Sequence, residues 1–428
     1  MIMGRKVFLS FLGTTNYSET DYVYKDEIIK KARFVQEAII SRFCKEWSSS
    51  DKIITLVTEE SYKKNWLDNG HKDRKTNDVF KVKGLKTSVQ NLKTKPELVV
   101  EKVPNGNDEN EIWKIFDIVY NLLNEEDELV FDVTHSFRSL PMLLMVLINY
   151  AKFLKKIKVK YIFYGNFNPE NPDTSDLIDI TSFSLLQDWT VAANEFITFG
   201  NVRKITELTK DKIKPLLIET KGKDEVASNY RQLNVYLTTI YESILLNRGN
   251  FIYTDEYFDK LNEVINNLKV DFIKPLEPII SKILNKTEGF GSNKKILNGL
   301  EAVQWCLDFD WIQQGYTILQ ETIISFVINS IDLDYLNEEN RNITSSCFKI
   351  VSENLPENEW KGDAGRNIEL TKKILLSEWI SKFAGVYNNL TQFRNDINHF
   401  GMKEQSSDAN KIRLKLTEYF NAVKQIIN

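Results

Sequence analysis

Strand patterns and helix patterns alternate over the first two hundred residues of the chain, and strand patterns then cease. Short apolar runs bounded by turn residues predict strands, and longer stretches with a period near 3.6 predict the helices between them. The strands are predicted at residues 7–12, 52–58, 98–103, 128–132, 159–164 and 177–180, the helices at 32–43, 111–123, 141–154 and 185–199, and a hairpin arm at 21–29. This order predicts βαβ units and a mostly parallel sheet of the Rossmann-like class.

The rest of the chain predicts an all-α region. Helical patterns are separated by polar turns at residues 221–224, 247–250, 287–293 and 356–358. We therefore expect an α/β plus all-α protein with domains at 1–200 and 201–428, in which residues 200–300 form a helical connector. Polar clusters at 340–365 predict a mobile insertion before the last long helix.

Charge and cysteine usage narrow the class of protein. With 42% hydrophobic and 27% charged residues and a net charge of −4, the chain is typical of a soluble globular protein and not of one that coats nucleic acid. Three scattered cysteines indicate a reducing cytoplasm, and with only three histidines the sequence predicts no metal site. The first residues show no secretory signal, and the most apolar run, at 140–154, is too short to span a bilayer. We expect a cytoplasmic protein.

Two loops that follow predicted strands carry groups suited to binding a nucleotide. Hydroxyl and amide groups near a flexible glycine can contact phosphates and base edges, and a helix N-terminus favours an anion. In an open α/β sheet such loops gather at the carboxyl ends of the strands. The candidate ligand-binding residues are Gly13, Thr14, Thr15 and Asn16 in the first loop, Thr134, His135, Ser136, Phe137 and Arg138 in the second, and Thr58 at the end of the second strand.

These loops do not indicate an ordinary dinucleotide-binding protein. The chain has no GxGxxG run, which disfavours that class. Each loop taken singly is also typical of a plain strand-to-helix turn. Neither loop alone therefore indicates a function, and the two have to be considered together.

A stretch rich in Lys and Arg separates the second predicted strand from the third. Residues 63–95 either extend an anion-binding surface or form a solvated, loop-heavy insertion. The polar turn around Gly70 and the lack of interleaved aromatic residues favour the insertion. His71 is accordingly predicted to be a surface histidine.

The sequence near the end of the chain predicts one long amphipathic helix. Apolar residues recur at alternating steps of four and three over residues 379–400, as a coiled-coil-like seam requires. Gly401 then offers a C-cap. The seam and the polar residues beside it are predicted to meet a partner helix.

Four polar residues flank this seam as two pairs, each with a spacing of four. RNA cleavage by its own 2′-hydroxyl needs proton transfer near neutral pH and a fixed positive charge for the phosphorane, and histidine and arginine supply both without a metal. An asparagine can orient the phosphate or the ribose. The candidate catalytic residues are Arg394, His399, Asn395 and Asn398. Spacing alone favours a plainer interpretation, in which Arg and His cap a helix and bind surface acids.

Several segments of the first two hundred residues resemble the sensor domain of CRISPR-associated CARF proteins. The most specific is the run from Asp132 to Arg138, which reads Asp-x-Thr-His-x-Phe-Arg. The others lie at residues 8–17, 33–38, 65–66, 111–113, 164–165 and 188–189. The chain departs from the family at Thr15 and Ser136, where glycine is common.

The CARF resemblance implies a sensor of cyclic oligoadenylate, a ring-shaped messenger made during type III CRISPR antiviral defence. In that family two CARF domains form a two-fold homodimer and the ring lies across the axis, which suits an even number of nucleotides. Cyclic tetra-adenylate is the first choice and cyclic hexa-adenylate the second. The resemblance implies that Arg138 meets phosphate, and that Thr14, Asn16 and His135 contact phosphate or base.

The C-terminal helix resembles the motif helix of HEPN ribonucleases. Arg394 and His399 match the Arg-x4-His motif, and residues 311–321 resemble the preceding helix of that family. The resemblance implies that two protomers, within a homodimer or a higher oligomer, join their motifs in one groove that cleaves single-stranded RNA without a metal or cofactor.

Two other functions stay open at this point. One is a nucleotide-sensing regulator or interaction module whose helical domain is catalytically silent. The sequence shows no basic recognition helix, so we expect no stable DNA complex. The other is a Rossmann-type metabolic enzyme, which would leave the C-terminal motif unexplained.

Overall fold

The chain forms two compact units, Met1–Gln187 and Asp188–Asn428. The computed structural model describes residues 4–68, 70–72, 79–134, 140–168, 170–253, 256–291, 295–402 and 404–428. Within these residues, no helix has the length and apolarity that crossing a bilayer requires.

The first unit is built on an eight-stranded sheet with a separate two-stranded ribbon. The strands are β1 Lys6–Leu12, β2 Thr20–Tyr24, β3 Glu27–Ala32, β4 Lys52–Val57, β5 Gly70–Lys72, β6 Val79–Lys81, β7 Glu97–Lys102, β8 Glu128–Asp132, β9 Lys158–Phe167 and β10 Thr174–Asp179. The large sheet has the order β3-β2-β10-β9-β8-β1-β4-β7, and β5 pairs with β6. All six predicted strands and the hairpin arm are present.

Five adjacent strands of the large sheet are parallel. From β1 the chain moves outward through β4 to β7, and it then returns to the other side of β1 to form β8 and β9. Strand β10 runs antiparallel to β9, and the β2–β3 hairpin extends the sheet beyond it. The prediction of a mostly parallel, Rossmann-like sheet is confirmed, and the order of the strands reverses between β1 and β8.

Helices cover both faces of this sheet. Those of the first unit are α1 Val35–Phe43, α2 Glu59–Ser61, a π-helix at Tyr62–Trp66, α3 Leu85–Asn91, α4 Glu109–Leu122, α5 Leu140–Lys155 and α6 Ser182–Phe199, which runs across the boundary between the units. Alternate residues of β1 face opposite sides, so Phe8 and Leu12 pack under α1 and α3 while Val7, Leu9 and Phe11 pack under α4 and α5.

The structure corrects the predictions for two segments of this unit. Helix α1 begins at Val35 and not at residue 32, because Ala32 is the last residue of β3. The insertion at 63–95 is not loop-heavy where it is described, since it contains most of the π-helix, the β5–β6 ribbon and α3. His71 is not a surface histidine, because its side chain is buried.

The second unit is all-α, as predicted. Its helices are α7 Arg203–Glu219, α8 Glu225–Leu245, α9 Gly249–Tyr253, α10 Glu256–Asn266, α11 Glu277–Thr287, α12 Asn298–Asp308, α13 Ile312–Ser330, α14 Glu338–Glu353, α15 Gly362–Arg366, α16 Ile368–Leu375, α17 Glu378–Asn398 and α18 Ala409–Ile427. Short 3-10 turns lie at Val270–Leu276, Lys295–Leu297 and Glu357–Glu359. The predicted insertion at 340–365 is wrong, because α14 occupies much of it and buries Ile343, Cys347 and Phe348.

The apolar seam of α17 lies inside this helical core. Phe383 and Trp379 both pack edge-on against Phe326 of α13, and Phe393 stacks on Tyr316. Helices α13, α14 and α18 of the same unit therefore cover the seam. The partner helices that the seam was predicted to meet are thus helices of its own unit.

All three cysteines are buried. Cys44 lies in the first unit, and Cys306 and Cys347 lie in the second. Burial raises the pKa of each thiol well above its ordinary value.

Candidate functional site

The two loops singled out in the sequence follow neighbouring strands. Strands β1 and β8 are parallel and adjacent, with Ser10 opposite Asp132. The loop at residues 13–17 and the turn after Asp132 therefore leave the same edge of the sheet, at the point where the strand order reverses. This is where open α/β sheets bind ligands. Four predicted residues, His135, Ser136, Phe137 and Arg138, lie outside the described residues.

Asn65 holds the first loop from behind. Its Nδ2 donates to the carbonyl oxygens of Gly13, at 2.8 Å, and Thr15, at 2.9 Å. Asn65 is fully buried and lies in the π-helix, a feature that often marks functional segments. Thr14 is half-buried and Thr15 and Asn16 are exposed, so the loop presents its outer side to solvent.

Arg33 is the second support of this loop. Its Nε donates to the carbonyl of Tyr17 at 3.0 Å, and its Nη2 donates to Oδ1 of Asn16 and of Asn65, each at 3.2 Å. Its Nη1 donates to the carbonyl of Lys83 at 3.0 Å. The guanidinium thus joins the loop, the π-helix and the segment before α3.

His71 completes this group of residues. Its Nε2 lies 2.9 Å from Oδ1 of Asn65, and an amide oxygen only accepts, so Nε2 carries the proton. Burial lowers the pKa of His71, and the nearby charges of Arg33 and Lys64 lower it further. A hydrogen bond to the backbone of Lys64 acts in the opposite direction and raises this pKa. We call Arg33, Asn65 and His71 the loop support.

A row of buried polar side chains lies beneath the loop on the α1 side of the sheet. Ser10, Thr55 and Asp132 occupy opposed positions on β1, β4 and β8, and Gln36 of α1 lies above the sheet and donates to the carbonyl of Phe11 at 2.9 Å. Burial raises the pKa of the Asp132 carboxyl to about 7. Within the described residues, its Oδ2 has no hydrogen-bond partner.

The other oxygen of Asp132 shapes the turn that begins the second loop. Oδ1 accepts from the N–H and the hydroxyl of Thr134, at 3.0 and 2.5 Å, and the Thr134 hydroxyl accepts from Gly165 N–H at 2.8 Å. Gly165 permits this approach, since a Cβ there would meet Val35 at 3.0 Å and Thr134 at 3.2 Å.

Thr58 has a structural task. Its hydroxyl accepts from Ser61 N–H at 3.2 Å, which caps the short helix α2, and its side chain is buried. A ligand contact by Thr58 stays a prediction.

In the helical unit, the motif residues lie at the end of α17. Phe400 and Gly401 both have positive φ angles, of 59° and 64°. Phe400 N–H donates to the carbonyl of Ile397 at 3.0 Å and Gly401 N–H to that of Asp396 at 2.8 Å, which is a Schellman end. Gly401 was predicted as the cap, but Phe400 takes the first left-handed position. Asp396 also accepts from Ser407 N–H at 2.9 Å, which fixes the chain beyond the motif.

The structure brings two of the four candidate catalytic residues together in one depression. Asn395 and His399 are exposed and line a depression of about 410 Å³ together with Gln392, Asp396 and Met402. Asn398 turns toward α13, where its Oδ1 accepts from Gln313 at 3.2 Å.

Arg394 is half-buried beside a polar network between α13, α14 and α17. Gln320 donates to the hydroxyls of Tyr387, at 3.1 Å, and Thr391, at 2.9 Å, and Tyr387 also bonds Ser345. The buried Nε of Arg394 has no acceptor within the part of the chain that the structure describes. A guanidinium with an unused donor is suited to an incoming phosphate.

Sequence reasoning gave no role to Arg33, Asn65 or His71. Apart from the His71–Asn65 bond, their hydrogen bonds join residues 16 to 52 positions apart, and the π-helix that carries Asn65 has no periodic signature. One available signal was an arginine directly before the apolar residues of α1, a place where a charge needs a reason.

Comparisons with known proteins agree with this geometry. Residues 7–169 match the family described as CRISPR system endoribonuclease Csx1, CARF domain. Residues 185–293 match the family described as CRISPR-associated protein MJ1674, second domain. The chain is also 26% identical over 224 residues to CRISPR-associated protein MJ1674 of Methanocaldococcus jannaschii. That alignment covers 51% of this chain and 32% of the relative, so the shared region is about a third of the relative's length.

The first match contains β1, β4 and β8 together with the residues of the loop support. Residues 7–169 are therefore a CRISPR-associated CARF domain, and residues 185–293 are similar to the second domain of another CRISPR-associated protein.

Proposed function

We propose that this chain is an endoribonuclease of CRISPR defence that is switched on by a cyclic oligoadenylate. The observation that carries the proposal is the presence, in one chain, of a CARF domain and of a helix, α17, that carries a half-buried Arg394 and ends at a solvent-exposed His399. The name of the matched family, an endoribonuclease, supports the same activity. Cyclic tetra-adenylate is the first candidate for the activator and cyclic hexa-adenylate the second.

The reaction requires only groups that this chain supplies. A ribose 2′-hydroxyl attacks the adjacent phosphorus, the bond to the 5′-oxygen breaks, and a 2′,3′-cyclic phosphate and a 5′-hydroxyl form. His399 transfers the proton of the attacking 2′-hydroxyl to the departing 5′-oxygen, and Arg394 stabilises the negative charge that develops on the phosphorane. Asn395 lies in the same depression as His399 and orients the ribose or phosphate, while Gln313 fixes Asn398.

Activation requires that the ring bind one arrangement of a homodimer more tightly than another. Two exposed apolar surfaces support pairing of protomers. Phe400 and Met402 directly follow the motif and are 84% and 79% exposed. In the first unit, Met142, Val146 and Phe153 form an exposed stripe along α5. Soluble monomers rarely leave such stripes uncovered.

The α5 stripe gives a test of the dimer. We expect wild type to elute at roughly twice its 49.9 kDa chain mass and the double variant Val146→Glu, Phe153→Glu to elute near 49.9 kDa, because two charges would be buried in the interface. Light scattering after gel filtration measures this. Val235→Glu, at an exposed apolar site of α8, is the matched control and should stay dimeric. A double variant that remains dimeric would remove α5 from the interface.

Cleavage is expected to need no metal. Since proton transfer and charge stabilisation both come from side chains, EDTA at millimolar concentration should leave the ring-activated rate unchanged within error. A ribonuclease of known magnesium dependence serves as the control for chelation. Loss of cleavage in EDTA that is restored by one divalent ion would assign the chemistry to that ion.

The proposed function is tested by cleavage of a fluorescently quenched single-stranded RNA. Cyclic tri-, tetra-, penta- and hexa-adenylate are added separately, and ring binding is measured in parallel by calorimetry. Activation by one ring supports the proposal and identifies the activator. Binding of a ring without cleavage would instead make the protein a sensor with a non-catalytic output.

A further inference from the structure

Helices α7 and α8 of the second unit border an open groove. The two helices follow each other in the chain and pack side by side, and Asn234 Nδ2 of α8 donates to the carbonyl of Thr206 of α7 at 3.1 Å. The groove has a volume of about 830 Å³. Its floor is apolar, with a buried Ile213, a half-buried Leu217 and an exposed Val235. A floor of this kind can cover flat apolar faces of a ligand.

Three cations of α7 lie along this groove. Arg203, Lys210 and Lys214 are separated by seven and then four residues, which places them on one face of the helix. At a rise of 1.5 Å per residue, their spacings along the axis are about 10 and 6 Å. Helix α8 adds Arg231 to the lining. All four residues are exposed and, among the described residues, none of them forms an ion pair with Asp or Glu.

The groove is therefore basic in a chain that is acidic overall. Among the described residues that line it, Glu207 is the single carboxylate, and Lys204 binds that group at 3.1 Å. The whole chain, by contrast, has 56 basic and 60 acidic residues. Four unpaired cations in one groove attract a polyanion. Thr238 and Thr239 add hydroxyl groups, which are common partners of nucleic-acid phosphates and sugars.

One end of the groove is joined by direct contacts to the end of α17. The guanidinium of Arg203 lies 5.7 Å from the ring centre of Tyr241, and this ring packs edge-on against Trp311 at 5.6 Å. Trp311 directly precedes α13, in which Gln313 binds Asn398. The groove therefore begins beside the segment that holds one of the candidate catalytic residues.

We propose that the α7–α8 groove binds single-stranded RNA beyond the bond that is cut. The four cations contact its phosphates, and the apolar floor covers faces of its bases. The connection to α13 favours RNA over an acidic peptide, because RNA is the polymer that must also reach His399. The inference rests on the proposed function for its choice of polyanion, and it adds a substrate-binding surface outside residues 394–399.

The test measures RNA binding by the full chain in a His399→Ala background, so that the RNA stays intact. Fluorescence anisotropy of a labelled single-stranded RNA compares the double variant Lys210→Gln, Lys214→Gln with its control. The control is Lys282→Gln, Lys373→Gln, which removes two charges from exposed helical positions of the same unit.

Two phosphate contacts should be lost in the groove variant and none in the control. Each contact to a single strand contributes about 0.7 to the slope of log affinity against log salt, so two lost contacts should lower this slope by about 1.4. At about 0.15 M salt the affinity should fall about 10- to 30-fold. The loss should be equal for RNAs of different sequence, because phosphate contacts carry no sequence information.

A second readout uses the chain with His399 intact. The groove variant should cleave RNA with a raised KM and an unchanged kcat, since it loses binding that is equal in the ground state and the transition state. Val235→Glu, which places a carboxylate in the floor, should likewise weaken RNA binding. The affinity for the ring should stay unchanged in both variants.

The outcomes separate the two proposals. Weaker RNA binding in the groove variant, with no ring that activates cleavage, would keep the groove and remove the nuclease activity. Equal RNA affinity and salt slope in the two double variants, or no RNA binding by the His399→Ala protein, would overturn the inference while leaving ring-activated cleavage to its own assay. Polyglutamate that binds the groove more tightly than an RNA of equal charge would assign the groove to an acidic protein instead.

Discussion

Replacing His399 with alanine is expected to lower ring-activated RNA cleavage by about 10²- to 10⁴-fold, the usual contribution of a positioned proton-transfer group. His399 is exposed at the end of α17 and shares its depression with Asn395. Its loss removes proton transfer but none of the core contacts of the helix. The rate of cleavage of a quenched RNA under single-turnover conditions measures the effect.

The His399→Ala variant should still bind the activating ring with unchanged affinity, because the CARF domain is untouched. Lys382→Ala, on an exposed face of the same helix, is the matched control and should cleave at the wild-type rate. Arg394→Ala should lose activity as well, since the phosphorane would lack its positive charge. If His399→Ala protein, purified free of contaminating ribonuclease, cleaves as fast as wild type, His399 is not the catalytic histidine.

Replacing Asp132 with asparagine is expected to stabilise the first unit at pH 8 by up to about 4 kcal/mol. Burial raises the pKa of this carboxyl from 3.8 to about 7, and each unit of pKa difference corresponds to about 1.4 kcal/mol. The folded state therefore binds more protons than the unfolded state between pH 4 and 7. In the wild type, the Asp132 carboxyl makes its full contribution to stability below pH 4, and this contribution is lost as the pH rises through 7.

The side chain of asparagine has the shape of the protonated carboxyl. Its oxygen can accept from Thr134 as Oδ1 does, and its amide can donate from the position of Oδ2. The side-chain oxygen of Gln36, in the same row of polar side chains, is buried and has no donor among the described residues. The variant should therefore be as stable at pH 8 as at pH 5.

Denaturant unfolding from pH 5 to pH 9, with hydrogen exchange of β1 and β8 amides as a local probe, measures this effect. Asp127→Asn is the control, and its effect on the stability of the first unit should be opposite in sign. It should destabilise the unit, because Asp127 is buried and pairs with Arg5 at 3.0 Å, and the guanidinium would lose its partner. If Asp132→Asn leaves the pH dependence unchanged, Asp132 is not protonated in the folded state at neutral pH.

The fold was largely predictable because local patterns determine it. Strands such as β1 and β8 are buried on both faces and read as continuous apolar runs, so their positions were confirmed within a residue or two. The helical second unit followed from the period of its apolar residues. Helix periodicity shows which face of α17 is buried, but it does not say what covers that face, and here the cover is α13, α14 and α18.

The site was less predictable because it depends on contacts between distant segments. The sequence located the loop at residues 13–16, but the side chains that orient its carbonyls come from residues 33 and 65. The prediction for His71 was wrong because this buried side chain contacts Asn65 in the π-helix, an element that the sequence pattern does not reveal. The catalytic and ligand-binding assignments remain predictions, and the experiments above test them.

The reactivity of the three buried thiols also reports on the unfolding of the chain. A folded thiol of raised pKa reacts slowly with alkylating reagents, whereas the same thiol in an opened unit reacts at the rate of a model peptide. Cys44 lies in the first unit, and Cys306 and Cys347 lie in the second. The rate at which alkylation adds mass to each cysteine-containing peptide therefore measures how fast each unit opens. Pulsed alkylation, with and without the ring, would therefore show whether addition of the ring slows motion in the helical unit, with no label introduced.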